Sequence, residues 1–569
     1  MQDTRLDVLA RGWRGRLFAA LISLIAGLPG VFALPPLDRD ESRFAQATAQ
    51  MLETGDFISI NYQDQPREKK PVGIHWLQAA SVVALSSAEA RQIWAYRIPS
   101  LLGAALAAAA CVWGAGAFFS ARVALAAGGV LAASMLLSTE AAIAKTDAVL
   151  CAAVTLTMAA FAQVYSASQR GAAVSRTTKL LFWLGLAVAI LDKGPVGPMV
   201  VLLTGLALWA WDRKAPWARD LGWAWGLILA AAIVGPWAVA ITVQTDGAFW
   251  VHAVKGDIAP KLLGGHEGHG LPPGALLLTA PLLIFPAAAL LPAAAVTAWR
   301  NRAAPGVRFA ICWLVPAWLV FEAAPTKLVH YPLPTYPALA WLSALAVIEP
   351  LAGRGRWLGA ILSIVAGGAW ACAAVAVAMI YGDGWMTTAV GVAAAVLALT
   401  AGLAGAAMAT PPRRWTERPW VTLGGVLALG MSFHAVLAAG LLPRLAPLWM
   451  SRRVAQVLDA SHLNPRRGLA PGPVTVAGYA EPSLVFALGT ETELGDVLDA
   501  AEAISEGRPV VIEGRQDAAF RRALADDQLK ASPVGSVAGV DYSSGAKDVL
   551  VVYRSDSPSP AETAGANGR

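Results

Sequence analysis

Apolar residues in this chain come in long blocks separated by short polar connections. A helix that crosses a bilayer needs about 20 mostly apolar residues. Thirteen blocks meet that requirement: 16–34, 95–118, 123–139, 147–166, 179–192, 195–211, 221–243, 273–297, 308–322, 332–349, 357–380, 386–408 and 420–442. The stretch 72–88 is also apolar, but it is short and has charged flanks, which suits a segment lying along the membrane surface. The expectation is an all-α polytopic membrane domain over 1–442, in which 35–94 forms a long first outer loop with interfacial helices.

Charge tests the count. With thirteen spans and a cytoplasmic N-terminus, the inner connections carry Arg5, Arg11, Arg14 and Arg16, then Arg122, then Arg170, Arg176 and Lys179. Next come Arg213, Lys214 and Arg219, then Arg300, Arg302 and Arg308, then Arg354 and Arg356, and last Arg413, Arg414 and Arg418. All are basic, as the positive-inside rule requires. An odd number of spans then puts 443–569 on the outer face. The Arg-flanked first span lacks a small-residue cleavage site before Leu34-Pro35-Pro36 and reads as an uncleaved signal anchor.

Composition agrees. Of 569 residues 56% are hydrophobic and 14% charged, whereas soluble domains run at roughly 25% charged. The net charge of +6 is accounted for by topology and calls for no nucleic-acid partner. Cys111, Cys151, Cys312 and Cys372 all sit in apolar stretches and form no disulfide framework or thiolate metal site.

Beyond the last span the pattern changes. Short β-rich runs (P-V-T-V-A-G-Y, S-L-V-F-A-L, R-P-V-V-I-E-G, D-V-L-V-V-Y) alternate with helix-like stretches such as T-E-L-G-D-V-L-D-A-A-E-A-I, predicting a small outer α/β domain within 443–569. It contains no G-x-G-x-x-G or P-loop, so no nucleotide site is indicated. The Ser-, Pro- and Ala-rich tail from about 555 has the composition of a disordered segment.

The candidate chemistry lies on the outer side. In the first loop Phe44, Ala47, Met51 and Leu52 recur at helical steps, with Asp38 as the expected N-cap and Gly55 as the stop, predicting an amphipathic surface helix that carries Asp40, Glu41 and Arg43. Outer cations run against the topology signal. They are Arg43, Lys69, Lys70, Lys145, Lys193, Lys261 and Lys327, mostly within a few residues of a span. A lysine there either snorkels to headgroups or helps hold a phosphate on a lipid carrier. The settings K-K-P-V-G, D-K-G-P-V-G and P-T-K-L-V-H-Y-P-L-P fix the backbone around Lys70, Lys193 and Lys327 and favour the second use. Asp40, Glu41 and Asp147 supply carboxylates at the same boundary, where an acid is costly unless paired or used. For Glu41, pairing with Arg43 or with the helix N-terminus competes with a catalytic role.

These residues resemble a family. D-E-S-R-F-A resembles the D-E-x-R-Y-A motif of the ArnT-like and protein O-mannosyltransferase-like GT-C glycosyltransferases, and M-L-E-T-G-D-F their M-x-x-S-G-D-W. K-K-P-V-G-I-H-W is similar to E-K-P-P-x-x-Y-W, L-D-K-G-P to L-x-K-G-P, and T-K-L-V-H-Y-P-L-P-T-Y-P-A-L-A to K-L-x-x-Y-I-L-P-x-Y-P-A-L-A. The resemblance implies a GT-C fold in the bacterial inner membrane. It also implies transfer of a sugar, with inversion, from an undecaprenyl-phosphate-type donor to lipid A or another envelope acceptor at the periplasmic face. Carried over residue by residue, Asp40 falls on the leading catalytic carboxylate, Asp147 on the later one and Lys70 on the motif lysine. Lys193 and Lys327 fall on donor-phosphate lysines and Tyr331 on the adjoining tyrosine. Where the motif has Glu before Lys-Pro, this chain has Lys69, with Glu68 one residue earlier. Relatives can place a divalent metal with that Glu and an outer-loop histidine. Here His266 and His269 flank Glu267, but the added cation disfavours a metal, and these residues are expected to meet acceptor, phosphate or ion. No cofactor is required. Transfer to protein Ser/Thr, a lipid-linked sugar flippase and a non-catalytic scaffold remain the alternative readings.

Overall fold

The computed structural model describes residues 2–260, 270–410, 418–468, 472–541 and 544–556. It is a bundle of membrane helices with a small α/β domain set over one end. Eight helices among the described residues are long and apolar enough to cross a bilayer.

Each of the thirteen expected blocks is helical, but two are broken. The block 123–139 divides into Ala121–Ala132 and Met135–Glu140, with Ser134 capping the second piece by accepting from the Leu137 amide. The block 273–297 divides around Pro286 into Ala275–Leu283, a 3-10 turn and Leu291–Arg300. Proline has no N–H to continue a helical ladder. The count of thirteen full spans is therefore not reproduced by helix length alone.

The site rests on six of these elements. α1 (Gly12–Ala33) ends where Leu34-Pro35-Pro36 cannot continue it. α2 (Asp40–Thr54) carries Asp40 and Glu41 in its first turn, where the helix dipole favours acids, and stops at Gly55, whose φ of 73° suits a left-handed cap. α3 (Gly73–Leu85) has 13 residues, roughly 20 Å of helix, and is too short to cross a bilayer of about 30 Å. α4 (Ile93–Ala115), α5 (Asp147–Gln169) and α6 (Arg176–Lys193) complete the frame. Their packing depends on small residues: α4 and α5 meet where a Cβ on Gly103 would lie 3.0 Å from the Ala148 carbonyl. Large apolar side chains such as Ile228, Leu278 and Ile380 face outward, as lipid contact requires.

The small α/β domain, expected on the outer face and termed the outer domain for that reason, begins with α7 (Met450–Ala460). β1 (Thr475–Ala477), β2 (Glu493–Gly495), β3 (Val510–Glu513), β4 (Ala531–Val540) and β5 (Lys547–Ser555) form one sheet in the order β2-β1-β3-β5-β4. β1 is parallel to β2 and β3, while β5 runs antiparallel to β3 and β4. The run S-L-V-F-A-L, expected as a strand, is instead helix α8 (Pro482–Leu488). It is buried on two faces: Leu484 and Leu488 pack into the outer-domain core, and Phe486 packs on Ala45, Ala49 and Tyr96. A short run buried all round has no period by which helix and strand can be told apart.

Candidate active site

α2 places Asp40 at the loop edge, and the chain then returns through a two-residue hairpin, Asn61–Tyr62 with Gln65–Pro66, which brings Arg67 and Lys70 back over Phe44. The Arg67 Cζ lies 4.4 Å, and the Lys70 Nζ 4.9 Å, from the buried Phe44 ring centroid. The ring's negative face holds both cations beside Asp40, and Arg67 Nη2 is 3.9 Å from Asp40 Oδ1. The Asp40 side chain is 49% exposed and so open to a substrate. Burial works to raise its pKa, but the fields of Lys70, Arg67 and Lys145 outweigh it and hold the carboxyl at about 2. Burial pushes the half-buried Lys70 ammonium down to about 8 against the pull of Asp40, and repulsion from Lys193 and Arg67 adds to the fall.

A second cluster adjoins the first. Asp147, at the start of α5, accepts from Lys193 Nζ at 2.5 Å through Oδ1, while Oδ2 lies 3.4 Å from Lys145 Nζ and 3.6 Å from His330 Nε2. Glu140 faces the same Lys145 at 3.1 Å and His330 Nδ1 at 3.8 Å. Lys193 Nζ is also 5.7 Å from the Tyr331 ring centroid. Lys145 and Asp147 act on the charge of Asp40, and Lys193 and Asp147 on that of Lys70, so the two clusters share one electrostatic field.

The quoted motifs interlock to make this arrangement. In L-D-K-G-P, Gly194 takes φ 59°, ends α6 by donating to the Ile190 carbonyl, and so fixes Lys193 in the last turn. In K-K-P-V-G, Gly73 packs against that turn: a Cβ there would lie 2.6 Å from the Leu191 carbonyl oxygen. The lysine-bearing segments thus approach as closely as a glycine allows.

Other expected residues sit elsewhere. Glu41 points inward, 1% exposed, with Oε2 accepting from Arg97 Nη2 at 2.7 Å and the Leu37 amide at 2.8 Å. Its Oε1 accepts from Arg97 Nε and the Ala144 amide. The expected catalytic role for Glu41 gives way to a structural one, because four donors saturate the carboxylate and the partner is Arg97, not Arg43. Arg43 is half-buried, and its field acts on the Tyr62 phenol. Lys327 is buried and donates to the Leu271 carbonyl at 2.8 Å. His266, Glu267, His269 and Lys261 lie outside the described residues.

Arg67, Glu140, Lys145 and His330 belong to the site, though single-residue reading did not select them as site residues. Lys145 stood among the outer cations and His330 within a quoted motif; Glu140 and Arg67 carried no separate signal. A further pair was not foreseen: His252 Nδ1 meets Glu68 Oε2. A metal is thereby offered two donors of suitable chemistry, and no group of three or more His, Cys, Asp or Glu side chains is placed for one among the described residues.

Known proteins show the same arrangement of chain. The family model described as dolichyl-phosphate-mannose-protein mannosyltransferase matches residues 29–254. The matched stretch is 226 of the 569 residues. The matched stretch contains Asp40, Arg67, Lys70, Glu140, Lys145, Asp147 and Lys193, leaving Lys327, His330 and Tyr331 beyond its end. Among curated relatives, the undecaprenyl phosphate-alpha-4-amino-4-deoxy-L-arabinose arabinosyl transferase of Aeromonas salmonicida is 27% identical over 360 residues, 59% of this chain and 62% of that protein. The protein of the same name from Pseudomonas paraeruginosa is 28% identical over 334 residues, 57% of this chain and 58% of that one. The match thus spans about three-fifths of those relatives' length. The crystal structure of ArnT from Cupriavidus metallidurans bound to undecaprenyl phosphate superposes with a TM-score of 0.73 at 19% identity, covering 94% of this chain and 97% of that one. At that identity the likeness establishes the fold, and it extends through the outer domain.

Proposed function

We propose that this chain is an integral-membrane glycosyltransferase that moves a sugar from a polyprenyl-phosphate donor of the undecaprenyl type to lipid A or another envelope acceptor. The observation that carries this reading is the pairing of an open carboxylate, Asp40, with Lys70 in a field shared by Lys145, Asp147 and Lys193. The arginine-rich connections support a reading in which this end of the bundle and residues 443–569 face the periplasm from the inner membrane. The curated relatives are named for such a donor, and one ArnT structure holds undecaprenyl phosphate.

In the reaction the anomeric C–O bond breaks and its electron pair leaves with the lipid phosphate. Lys70 and Lys193 are the cations proposed to take up that charge, with Tyr331 beside Lys193, and Lys327, whose ammonium has two protons beyond the one given to the Leu271 carbonyl, is proposed as a third. The acceptor oxygen bonds to the anomeric carbon from the opposite face, inverting it; a phosphate acceptor brings no proton, and a hydroxyl acceptor gives its proton to the departing phosphate or to water. Asp147 holds Lys193 and Lys145 in place. A carboxyl held at about 2 is a weak proton acceptor, since a general base works best with a pKa near the operating pH. Asp40 therefore suits stabilising positive charge on the sugar ring or orienting an acceptor that is already anionic. His266, His269 and Glu267 are proposed to meet the acceptor.

Protein O-glycosylation is the second reading, favoured by the protein mannosyltransferase family whose model matches residues 29–254. A flippase fits less well, because its ionisable groups gather near the bilayer midplane. The deciding experiment is mass spectrometry of envelope lipids and proteins from cells with the gene, without it, and with Asp40→Asn or Lys70→Ala. The expected result is a sugar increment on one lipid that is lost in the deletion and in both variants. Unchanged lipids with a lost protein glycan select the second reading, and wild-type transfer by both variants overturns the site.

A further inference from the structure

The turn that leads into Asp40 is strained. Arg39 has φ 60° and ψ −108°, a conformation that L residues avoid, and it stands where the expected N-cap Asp38 was placed one residue too early. Strain of this kind persists only where the surroundings hold the chain on both sides.

One side is held from within the membrane domain. Arg97 donates to the carbonyls of Leu34 at 2.7 Å and Pro35 at 2.9 Å, the Leu37 amide donates to Glu41 Oε2 at 2.8 Å, and Ser42 Oγ donates to the Leu37 carbonyl at 2.5 Å. Residues 34–37 are thereby tied to α4 and α2. The other tie comes from the outer domain: the Ser483 amide, in the first turn of α8, donates to Asp38 Oδ1 at 3.3 Å. Ser483 Oγ donates in turn to Ser451 Oγ of α7 at 2.5 Å, and Ser451 lies 3.2 Å from the Tyr479 hydroxyl. Ser483 and Ser451 are both buried.

The docking of α8 is independently fixed. Phe486 meets Tyr96 edge-on at 5.4 Å. Arg91 bonds Gln46 of α2, the Phe486 carbonyl and Thr490 Oγ1, and pairs with Glu53 at the end of α2. Gln63, in the hairpin turn, donates to the carbonyls of Thr490 and Thr492. The outer domain therefore grips α2 along its length and the Asp38 side chain at its start.

We propose that Asp38 and the Ser483 amide are positioning groups: the outer domain, through this hydrogen bond, holds the strained Arg39 turn and so sets where Asp40 stands. The domain is on this view part of the working site rather than a passive cover. The inference rests on the proposed function for its kinetic readout only.

The test compares Asp38→Ala, which removes the acceptor, with Asp38→Asn, which keeps an acceptor oxygen, in the full-length protein. For Asp38→Ala the expected result is a fall in kcat of about ten- to a hundred-fold, the range that a small misplacement of a reacting group produces, with donor KM within about two-fold. Asp38→Asn should restore most of the rate. Hydrogen exchange across 40–46 should quicken in Asp38→Ala and not in Asp38→Asn. Ser483→Pro deletes the same bond from the other side, at a first-turn position where proline is tolerated. It serves as the second route if Asp38→Ala fails to fold, and the same losses are expected of it. Wild-type kcat in Asp38→Ala, an Asn variant as impaired as Ala, or unchanged exchange across 40–46 overturns the proposal. If the wild-type chain transfers no sugar from a polyprenyl phosphate, the functional reading fails, and the exchange data alone still decide whether the outer domain holds the turn.

Discussion

Lys70 is the residue whose charge state the structure ties most directly to pH. Burial lowers its ammonium pKa to about 8, Asp40 resists that fall, and Lys193 and Arg67 deepen it. The sign follows: the ammonium is the form that can neutralise a departing phosphate, it is favoured below about 8, and it is lost as pH rises through that value. From a pKa near 8, roughly nine-tenths of the enzyme carries the charge at pH 7 and a little under one-tenth at pH 9, so kcat/KM should fall about ten-fold between them. A bound phosphate raises the pKa again, so the alkaline limb belongs to kcat/KM, which reports the free enzyme, and fades in kcat at saturating donor. The assay is the initial rate of sugar transfer from a polyprenyl-phosphate donor in detergent, measured from pH 6 to 10. Lys70→Arg should remove the limb at some cost in rate, because guanidinium stays charged throughout. Asp40→Asn, if residual turnover allows measurement, should move the limb to lower pH, because it deletes the charge that supports the ammonium. A limb near pH 8 that persists in Lys70→Arg, or a wild-type profile flat to pH 10, refutes the reasoning.

Two further outcomes concern the scaffold. Arg97→Met should cost about 3–5 kcal/mol of stability, because Glu41 is then left buried without its cation; thermal unfolding in detergent measures it, and an unchanged melting temperature contradicts the role given to the pair. Gly73→Ala brings a methyl to 2.6 Å from the Leu191 carbonyl, so about 1–3 kcal/mol of destabilisation is expected, together with reduced transfer because Lys70 and Lys193 are forced apart. A variant with wild-type melting and wild-type rate removes the close approach from the account.

What could be read from the sequence, and what could not, divides along a physical line. Span positions were legible because the bilayer demands length and apolarity, and both are one-dimensional properties. The exceptions are 123–139 and 273–297, where hydropathy continues across breaks made by backbone chemistry at Ser134 and Pro286. Asp40, Lys70, Asp147 and Lys193 stood out because charge at a membrane boundary is costly and their motifs fix the backbone. Glu41 stood out for the same reason and has a different role, since cost alone does not distinguish a used carboxylate from a paired one. The pairing was decided by Arg97, which lies 56 residues away near the start of an otherwise apolar block. Arg67 was hidden because an arginine in a polar loop is ordinary until the hairpin lays it over Phe44. His330 and Glu140 were hidden because their meaning depends on helix ends that converge only in three dimensions. The strand assigned to S-L-V-F-A-L was lost for a related reason. α8 is apolar on both faces because one serves the outer domain's core and the other serves α2, and that second face belongs to contact between domains, which no local pattern records. The features that escaped are thus the ones that join distant parts of the chain, and they include the bond from Ser483 to Asp38 that ties the outer domain to the turn before Asp40.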